Sequence, residues 1–378
     1  MKVISISLDS RVLDPKSRVS ARSLLYGGIV EEYIVVVGSE RDSISERMHQ
    51  VTVYGVGGQN KLIRFLRMIL LLRKLILENR CDVISCSDPY FLGLASYILA
   101  RLYGVGLEIQ VLGIEKFTIL RRLIASFVIR HAGSVRVNST HLQNLLALEF
   151  KLPQSEILFV PIHYLPGEFG FEGVVPGSGR EKQQSDLKKE FAQKYGGKFN
   201  FLTVGRLVET KNIPLQLLAL IKLREKHKDV HLHIVGTGVM ESKIKDHIRN
   251  LDLGQNVTLH GNKVGLEMGV FYTEADCFLL SSTVEGWPMA IIDAVSADLP
   301  IVMSDVGPAG EFIKHETNGL IVPINDVASL CGAMERIMSD VELRERLTRN
   351  AKVHLENYWS LESILSGYKQ SWQKALEK

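Results

Sequence analysis

One pattern limits what this chain can fold into. Short, almost wholly apolar runs alternate with longer amphipathic segments from residue 3 to residue 160, and again from 201 to 322. The first series lies near 3–7, 33–37, 51–54, 83–85, 107–111, 134–137 and 157–160, with helical segments near 18–27, 60–78, 90–103, 118–131 and 139–149 between the runs. A strand that is apolar on both faces must be covered on both faces, and strands joined through helices run the same way. The pattern therefore predicts parallel sheets with helices on each side. Residues 165–183 (LPGEFGFEGVVPGSGREKQ) are rich in Gly and Pro, carry neither period and read as a linker. The rhythm then restarts, with strands near 201–204, 231–235, 257–259, 277–280, 301–303 and 320–322, and helices near 341–356 and 359–376 end the chain. A length of 378 residues fits two domains, 1–165 and 166–357, followed by a terminal helix at 358–378. Ligands of open α/β sheets bind beyond the carboxyl ends of the strands, so two such edges facing each other would make a deep cleft for two large substrates.

Composition removes several function classes. The chain is 46% apolar and 23% charged, as soluble globular proteins are. Its longest apolar runs, such as 68–72, are closed off by Arg67 and Arg73, so no segment reaches the ~20 apolar residues of a membrane span. The apolar run after Lys2 is too short for a signal peptide and reads as a first strand. Cys81, Cys86, Cys277 and Cys331 form no CxxC pair or zinc spacing and read as reduced, mostly buried thiols of a cytoplasmic protein. His163, His231 and His233 lack partners at metal spacing and read as structural. There is no Asp-x-Asp at a strand end, and no metal or cofactor is expected. The net charge of +3 is uneven: residues 1–165 carry +6 and the remainder −3. Residues 61–136 alone hold 12 Lys and Arg against 5 Asp and Glu, and 61–74 is a basic, very apolar helix. Either it docks on anionic lipid, giving a peripheral protein on the inner face of a membrane, or it packs on its own sheet with its cations snorkelling. No nucleic-acid partner is expected.

Two stretches carry chemistry. In the first, residues 201–212 (FLTVGRLVETKN), Gly205 permits a sharp turn after a strand, Arg206 emerges at the strand's carboxyl edge, and Lys211 follows just before a helix. Two cations beside a helix N-terminus suit a pyrophosphate; the alternative is a solvated turn. In the second, residues 281–294 (SSTVEGWPMAIIDA), Glu285 lies in a loop, Gly286 allows close backbone approach and Pro288 suits a helix start. Amides at Gly286–Met289, Trp287 among them, would face an anion or sugar hydroxyls. Asp293 lies eight residues beyond Glu285, and the alternative is a capping loop with an incidental acid. Gly236-Thr-Gly238 is a short glycine turn that fails as a dinucleotide fingerprint, because Glu241 stands where the third glycine belongs.

Together, in this order and spacing, these stretches resemble family 4 of the retaining glycosyltransferases, which have the GT-B fold of two doubly wound Rossmann-like domains. The resemblance covers about residues 199–340, including VGRL with Lys211-Asn212, IVGTG at 234–238, ADCFLLSS at 275–282 and NGLIVP at 318–323. In the first half it rests on CDVIS at 81–85, Val111-Leu112-Gly113 and Val137-Asn138-Ser139. It implies that Arg206 and Lys211 bind the diphosphate of a UDP- or GDP-sugar and that Glu285, first acid of the family's E-x7-E motif, sits at the donor sugar. It puts Asp293 at the ribose and Lys263 and Val264 near the base. It also implies that the chain's end returns to the first domain, that a hexose passes with retained configuration to a glycan or lipid-linked acceptor, as in polysaccharide biosynthesis, and that Arg206 and Lys211 replace a metal. Three departures stand out. Asp293 replaces Glu, shortening the side chain by ~1.5 Å. Leu112 stands where many members carry His and cannot hydrogen-bond. The Gly-Gly loop after the first strand is absent, so Lys16, Ser17 or Arg18, with Asp88 and Gly113 nearby, would line the acceptor side. A sugar-nucleotide epimerase and a non-catalytic partner subunit of the same fold remain as alternatives.

Overall fold

A computed structural model of the chain describes residues 1–47, 50–78, 80–113, 118–163, 180–358 and 360–377. The chain divides into two compact units, Met1–Leu165 with Trp359–Lys378, and Pro166–Tyr358.

The first unit is built on an eight-stranded sheet. Its strands are β1 (Lys2–Ser7), β2 (Glu32–Gly38), β3 (Ser43–Arg47), β4 (Val51–Val56), β5 (Val83–Cys86), β6 (Gly106–Val111), β7 (Ser134–Val137) and β8 (Ile157–Phe159), in the order β3-β4-β2-β1-β5-β6-β7-β8. All neighbours pair in parallel except β3, which runs antiparallel to β4 at the edge and was not expected from the sequence. The helices are α1 (Arg18–Gly27), α2 (Lys61–Leu77), α3 (Phe91–Tyr103), α4 (Ile119–His131), α5 (Thr140–Phe150) and, from the chain's end, a helix over Leu361–Leu376. Strand alternation splits the apolar side chains into two cores. Ile4, Ile34, Ile84 and Ile109 pack with Leu72, Val128 and Leu146 from α2, α4 and α5. Val3, Val35 and Val83 pack with Tyr26 of α1 and with Ile364, Tyr368 and Trp372 of the last helix.

That second core contains a charge. Glu108 on β6 is fully buried. Its Oε1 accepts from Arg136 Nε of β7 (2.7 Å) and Ser371 Oγ (2.5 Å), and its Oε2 from Ser85 Oγ (2.5 Å) and Trp372 Nε1 (3.0 Å). Burial alone would raise the Glu108 carboxyl, but the charge of Arg136 and these donors outweigh it and hold the group below its ordinary value. The Arg136 guanidinium lies 3.8 Å over the Tyr368 ring, which supplies a π-face where another acceptor would otherwise be needed. The helix comes close enough because Gly106 and Gly133 lack Cβ atoms, which would stand 2.6 and 2.7 Å from the carbonyl oxygen of Ala375.

The second unit holds β9 (Phe199–Val204), β10 (Val230–Val235), β11 (Val257–Leu259), β12 (Cys277–Leu280), β13 (Ile301–Ser304) and β14 (Leu320–Val322), all parallel, in the order β11-β10-β9-β12-β13-β14. Its helices are α6 (Arg180–Tyr195), α7 (Ile213–Lys226), α8 (Glu241–Asn250), α9 (Gly265–Glu274), α10 (Met289–Ser296), α11 (Val327–Ser339) and α12 (Val341–Asn357); the returning helix Leu361–Leu376 is α13. The linker read over 165–183 is corrected at its end: residues 180–183 open α6, which Phe191 and Tyr195 anchor in the core, while 165–179 lie outside the described residues. Among the described residues the cysteines are free, three buried and Cys331 half-buried. No helix among them is long and apolar enough to cross a membrane.

His231 and His233 are structural, and they have company. His233 bonds His260 (3.0 Å) and the Asn200 side chain (3.0 Å), and His231 bonds Thr258 Oγ1 (2.9 Å), beneath Phe191, Tyr195 and Phe271. Burial first pushes all three imidazoles down, His231 and His260 to about 4 and His233 to about 2; Lys198 and Lys194 add to it at His231, and neighbouring histidines with Lys194 add to it at His233 and His260. A base whose folded pKa is depressed contributes stability that is complete above its unfolded value, about 6.5, and is lost as pH falls through the folded values.

Two expectations follow from these cores. Trp372→Ala empties a core site and removes one donor to Glu108, so it should lower unfolding stability by about 3–5 kcal/mol in urea melts followed by circular dichroism; a loss under 1 kcal/mol would show that α13 is not integral to the first unit. In NMR titrations, His231, His233 and His260 should still be neutral at pH 5.5, and imidazolium signals from His233 at that pH would contradict the described packing.

Candidate functional site

In the second sheet, strand order reverses between β9 and β12, and loops leaving a reversal point part to leave a crevice at the carboxyl edge. Both chemistry-bearing stretches leave there. After β9 come Gly205, the exposed Arg206, a 3-10 turn over Glu209–Lys211 and the left-handed Asn212 (φ 49°), and α7 begins at Ile213. After β12 come Ser281, Ser282 and Glu285, and α10 begins at Met289 behind Pro288.

The two loops are tied together. Lys211 Nζ donates to Glu285 Oε1 at 2.5 Å, with the side chains 20% and 11% exposed. The same Oε1 accepts from Ser282 Oγ at 2.6 Å, which fixes the carboxylate from its own loop. Ser281 Oγ bridges to the carbonyls of Lys211 (2.9 Å) and Asn212 (3.0 Å), while accepting from the buried Gln216 Nε2 (2.9 Å). Backbone joins them too, through Thr283 N to Thr210 O at 2.8 Å. The lysine is thus held from both ends, by Ser281 at its carbonyl and by Glu285 at its ammonium. Among the described residues Arg206 makes no ion pair, so one cation is engaged and one is open to solvent.

Two glycines set the shape. Gly236 (φ +139°) presses its Cα against the Gly205 carbonyl, where a Cβ would sit 1.9 Å from the oxygen. The Gly236-Thr-Gly238 turn is therefore a wedge under the Arg206 loop, with Leu207 N donating to Thr237 O at 2.8 Å. Gly307 (φ +56°) lies against the other loop, where a Cβ would stand 2.9 Å from Glu285 Cβ and from the Gly286 carbonyl.

The remaining expected residues are spread more widely. Gly286, Trp287 and Pro288 are buried, and the Trp287 ring stacks on Tyr358 (5.7 Å) beside Phe312. Asp293, on α10, is 5% exposed. Lys263 pairs with Glu267 at 3.4 Å beyond β11, and Val264 is exposed. In the first unit, Lys16, Ser17 and Arg18 follow β1, Asp88 follows β5, and Leu112 and Gly113 follow β6, all at that sheet's carboxyl edge. Ser17 and Asp88 work locally. Ser17 Oγ caps α1 through Ser20 N (3.1 Å), and the Asp88 carboxylate accepts from Tyr90 N (2.8 Å) and Leu92 N (3.2 Å). Lys16, Leu112 and Gly113 are exposed and Arg18 is buried.

Ser282, Gln216 and Gly307 were not singled out from the sequence. The Ser-Ser pair directly after an apolar strand carried a signal, since short hydroxyls at a strand end commonly bond a neighbouring loop. Gln216 inside the apolar first half of α7 was a second.

Residues 184–354 match the family described as Glycosyl transferases group 1. An uncharacterized glycosyltransferase of Methanocaldococcus jannaschii is 31% identical over 176 residues, 47% of this chain and 45% of that protein. The matches to the first curated relatives span about half of their length or less. The UDP-Gal:alpha-D-GlcNAc-diphosphoundecaprenol alpha-1,3-galactosyltransferase of Escherichia coli is 24% identical over 307 residues, 79% of this chain and 77% of that one. Among solved structures, Anabaena HepE in complex with UDP superimposes with a TM-score of 0.75 at 16% identity, covering 99% of this chain and 100% of that chain. Residues 184–354 thus carry the likeness to the glycosyl transferases group 1 family, in a chain whose fold is the two-domain GT-B architecture of glycosyltransferases.

Proposed function

We propose that the chain is a retaining, metal-independent glycosyltransferase of family 4, moving a hexose from a nucleotide-diphosphate sugar to a glycan or lipid-linked acceptor. The observation that carries this reading is the pairing of Lys211 with Glu285 beside the open Arg206, at the strand-order reversal of the second sheet. The UDP held by HepE and the undecaprenol-linked acceptor of the Escherichia coli relative support a UDP-sugar donor and a lipid-linked acceptor. As the glycosidic bond breaks, charge develops on the β-phosphate. Lys211, held in place before the reaction, and the solvent-exposed Arg206 neutralise it, which is the role a divalent ion plays elsewhere. Glu285, anchored by Ser282 and Lys211, presents its carboxylate to hydroxyls of the transferring sugar. Retention comes from the resemblance to family 4: the acceptor attacks from the leaving group's face, without a covalent intermediate on a second carboxylate.

A screen of UDP- and GDP-sugars for thermal stabilisation identifies the donor, since a ligand bound only to the folded state raises the melting temperature. Release of nucleotide from that donor then separates a transferase from a non-catalytic subunit, which would bind without turnover. Lys211→Ala should lower kcat by ~10²–10³ while the protein stays folded, because a fixed cation at the developing charge is lost; an unchanged kcat would remove Lys211 from the mechanism. Turnover should persist in excess EDTA. Abolition by EDTA with rescue by Mg²⁺ or Mn²⁺ would replace the proposed role of the two cations.

A further inference from the structure

The outer face of α2, α3 and α4 is not explained by the donor reaction. The three helices lie side by side on one side of the first sheet. Arg73 Nε on α2 donates to Tyr103 Oη on α3 at 2.9 Å, and the rings of Tyr97 on α3 and Phe127 on α4 meet edge-on at 5.2 Å. Met68, Leu72, Leu75 and Ile76 bury the inner side of α2. Its opposite side presents Leu62, Leu66, Leu70 and Leu77, between 51% and 65% exposed, at spacings of four, four and seven that keep them in one stripe. Ile98 and Leu102 continue the exposed surface on α3, and Ile119, Leu120, Leu123 and Phe127 on α4. Among the described residues, 12 of the 23 exposed large hydrophobics sit on these three helices and only six lie in the second unit. Single exposed leucines are ordinary; a contiguous set on adjacent helices marks an interaction surface.

Charge identifies the occupant. α2 carries five Lys and Arg, α3 one and α4 three, and none of the three carries an Asp or Glu. A second copy docking face to face would set cations against cations: Arg67, Lys74 and Arg122 are paired with acids of neighbouring segments, and the helices themselves carry no acid to offset the rest. A protein partner is poorly matched as well, because the apolar part of the face is mainly leucine, which is under-represented in binding hot spots. Leucine, isoleucine and phenylalanine stripes flanked by cations suit the boundary between acyl chains and anionic headgroups.

We propose that this face is a docking surface for a membrane leaflet containing anionic lipid, with α2 lying in the plane of the interface. The inference deepens the lipid-linked-acceptor reading but does not depend on the donor chemistry. Its test is flotation of the full chain with vesicles of phosphatidylcholine alone, or of equal parts phosphatidylcholine and phosphatidylglycerol. The chain should float with the anionic vesicles at low salt, at least about tenfold less with the neutral ones, and be released by high salt. Leu66→Gln/Leu70→Gln/Leu123→Gln should cut binding by about tenfold or more, since each leucine removed takes apolar area from the contact. Lys61→Gln/Arg73→Gln/Lys74→Gln should cut it similarly and flatten its salt dependence. These side chains are exposed, so melting temperatures should match the parent's. The proposal is overturned if the parent ignores anionic vesicles at low salt, or if the leucine variant floats equally well. It is also overturned if sedimentation shows a dimer that the leucine substitutions dissolve, which would make the face an interface between copies. Turnover of the donor by the leucine variant with a water-soluble acceptor is a separate readout, so failure of flotation and failure of the transferase reading give different results.

Discussion

A carboxylate cut off from water must have its oxygens occupied by donors, and in the first unit that requirement falls on Glu108. Two of its donors, Ser371 and Trp372, arrive from the last helix, more than 260 residues further along the chain. Breaking a buried ion pair by removing a partner costs about 3–5 kcal/mol, because the charge left behind cannot be solvated. The first sheet therefore cannot be completed by its own segment of chain. It stays short of donors and of an apolar cover until α13 returns, and Gly106 and Gly133 are the positions that let α13 approach. A hydrophobic replacement of Glu108 could pack the same space, but it would not distinguish α13 from another apolar helix. The hydrogen-bond pattern does, because the adjacent Ser371 and Trp372 each bring a further donor to one of the two oxygens.

The second unit depends on direction rather than on a buried charge. Parallel pairing puts the carboxyl ends of all six strands on one edge, and the reversal of order between β9 and β12 parts their loops. The site needs little beyond what that edge supplies. Ser281 and Ser282 are the first residues past β12, and they reach, respectively, the backbone of Lys211 and the carboxylate that pairs with its side chain. Two adjacent hydroxyls thus determine where one ammonium group sits.

How much of this was legible follows from the kind of signal each feature leaves. Strands apolar on both faces leave a strong one, and the expected strands of both sheets are present within a residue or two of their expected ends. β3 left almost none: Ser43 and Ile44 are exposed at the sheet's edge, so the run has no apolar alternation to announce it. α6 was hidden because most of its residues are polar, and only Phe191 and Tyr195 tie it to the core. The meeting of Lys211 and Glu285 could be anticipated from two motifs that each end a strand. The Ser282 and Gly307 contacts could not, because they depend on which loops are neighbours, which is a property of strand order. Glu108 is the sharpest case. A lone acid in GLEIQV reads as the solvated side of a strand until the returning helix covers it.

The two cations of the candidate site are in different states, and the difference bears on the proposed reaction. Lys211 is already committed to Glu285 at 2.5 Å in a largely buried pair, whereas Arg206 stands exposed. In the proposed reaction an arriving diphosphate would meet Arg206 first, and an exposed charge adds mainly to encounter and orientation because solvent screens it. Lys211 can serve the β-phosphate only by sharing its protons between phosphate and Glu285. That sharing is favourable once the donor excludes water, since each charge then acts through a lower effective dielectric. Glu285 gains by the same exchange. As the phosphate draws on Lys211, the carboxylate has acceptor capacity to give to sugar hydroxyls while Ser282 keeps it in place. On this argument the ion pair is a ready state that binding opens, and the two residues are coupled: removing either leaves the other with an unmatched, poorly hydrated charge. A double-mutant cycle on Lys211 and Glu285 would express that coupling as non-additive losses in kcat/KM.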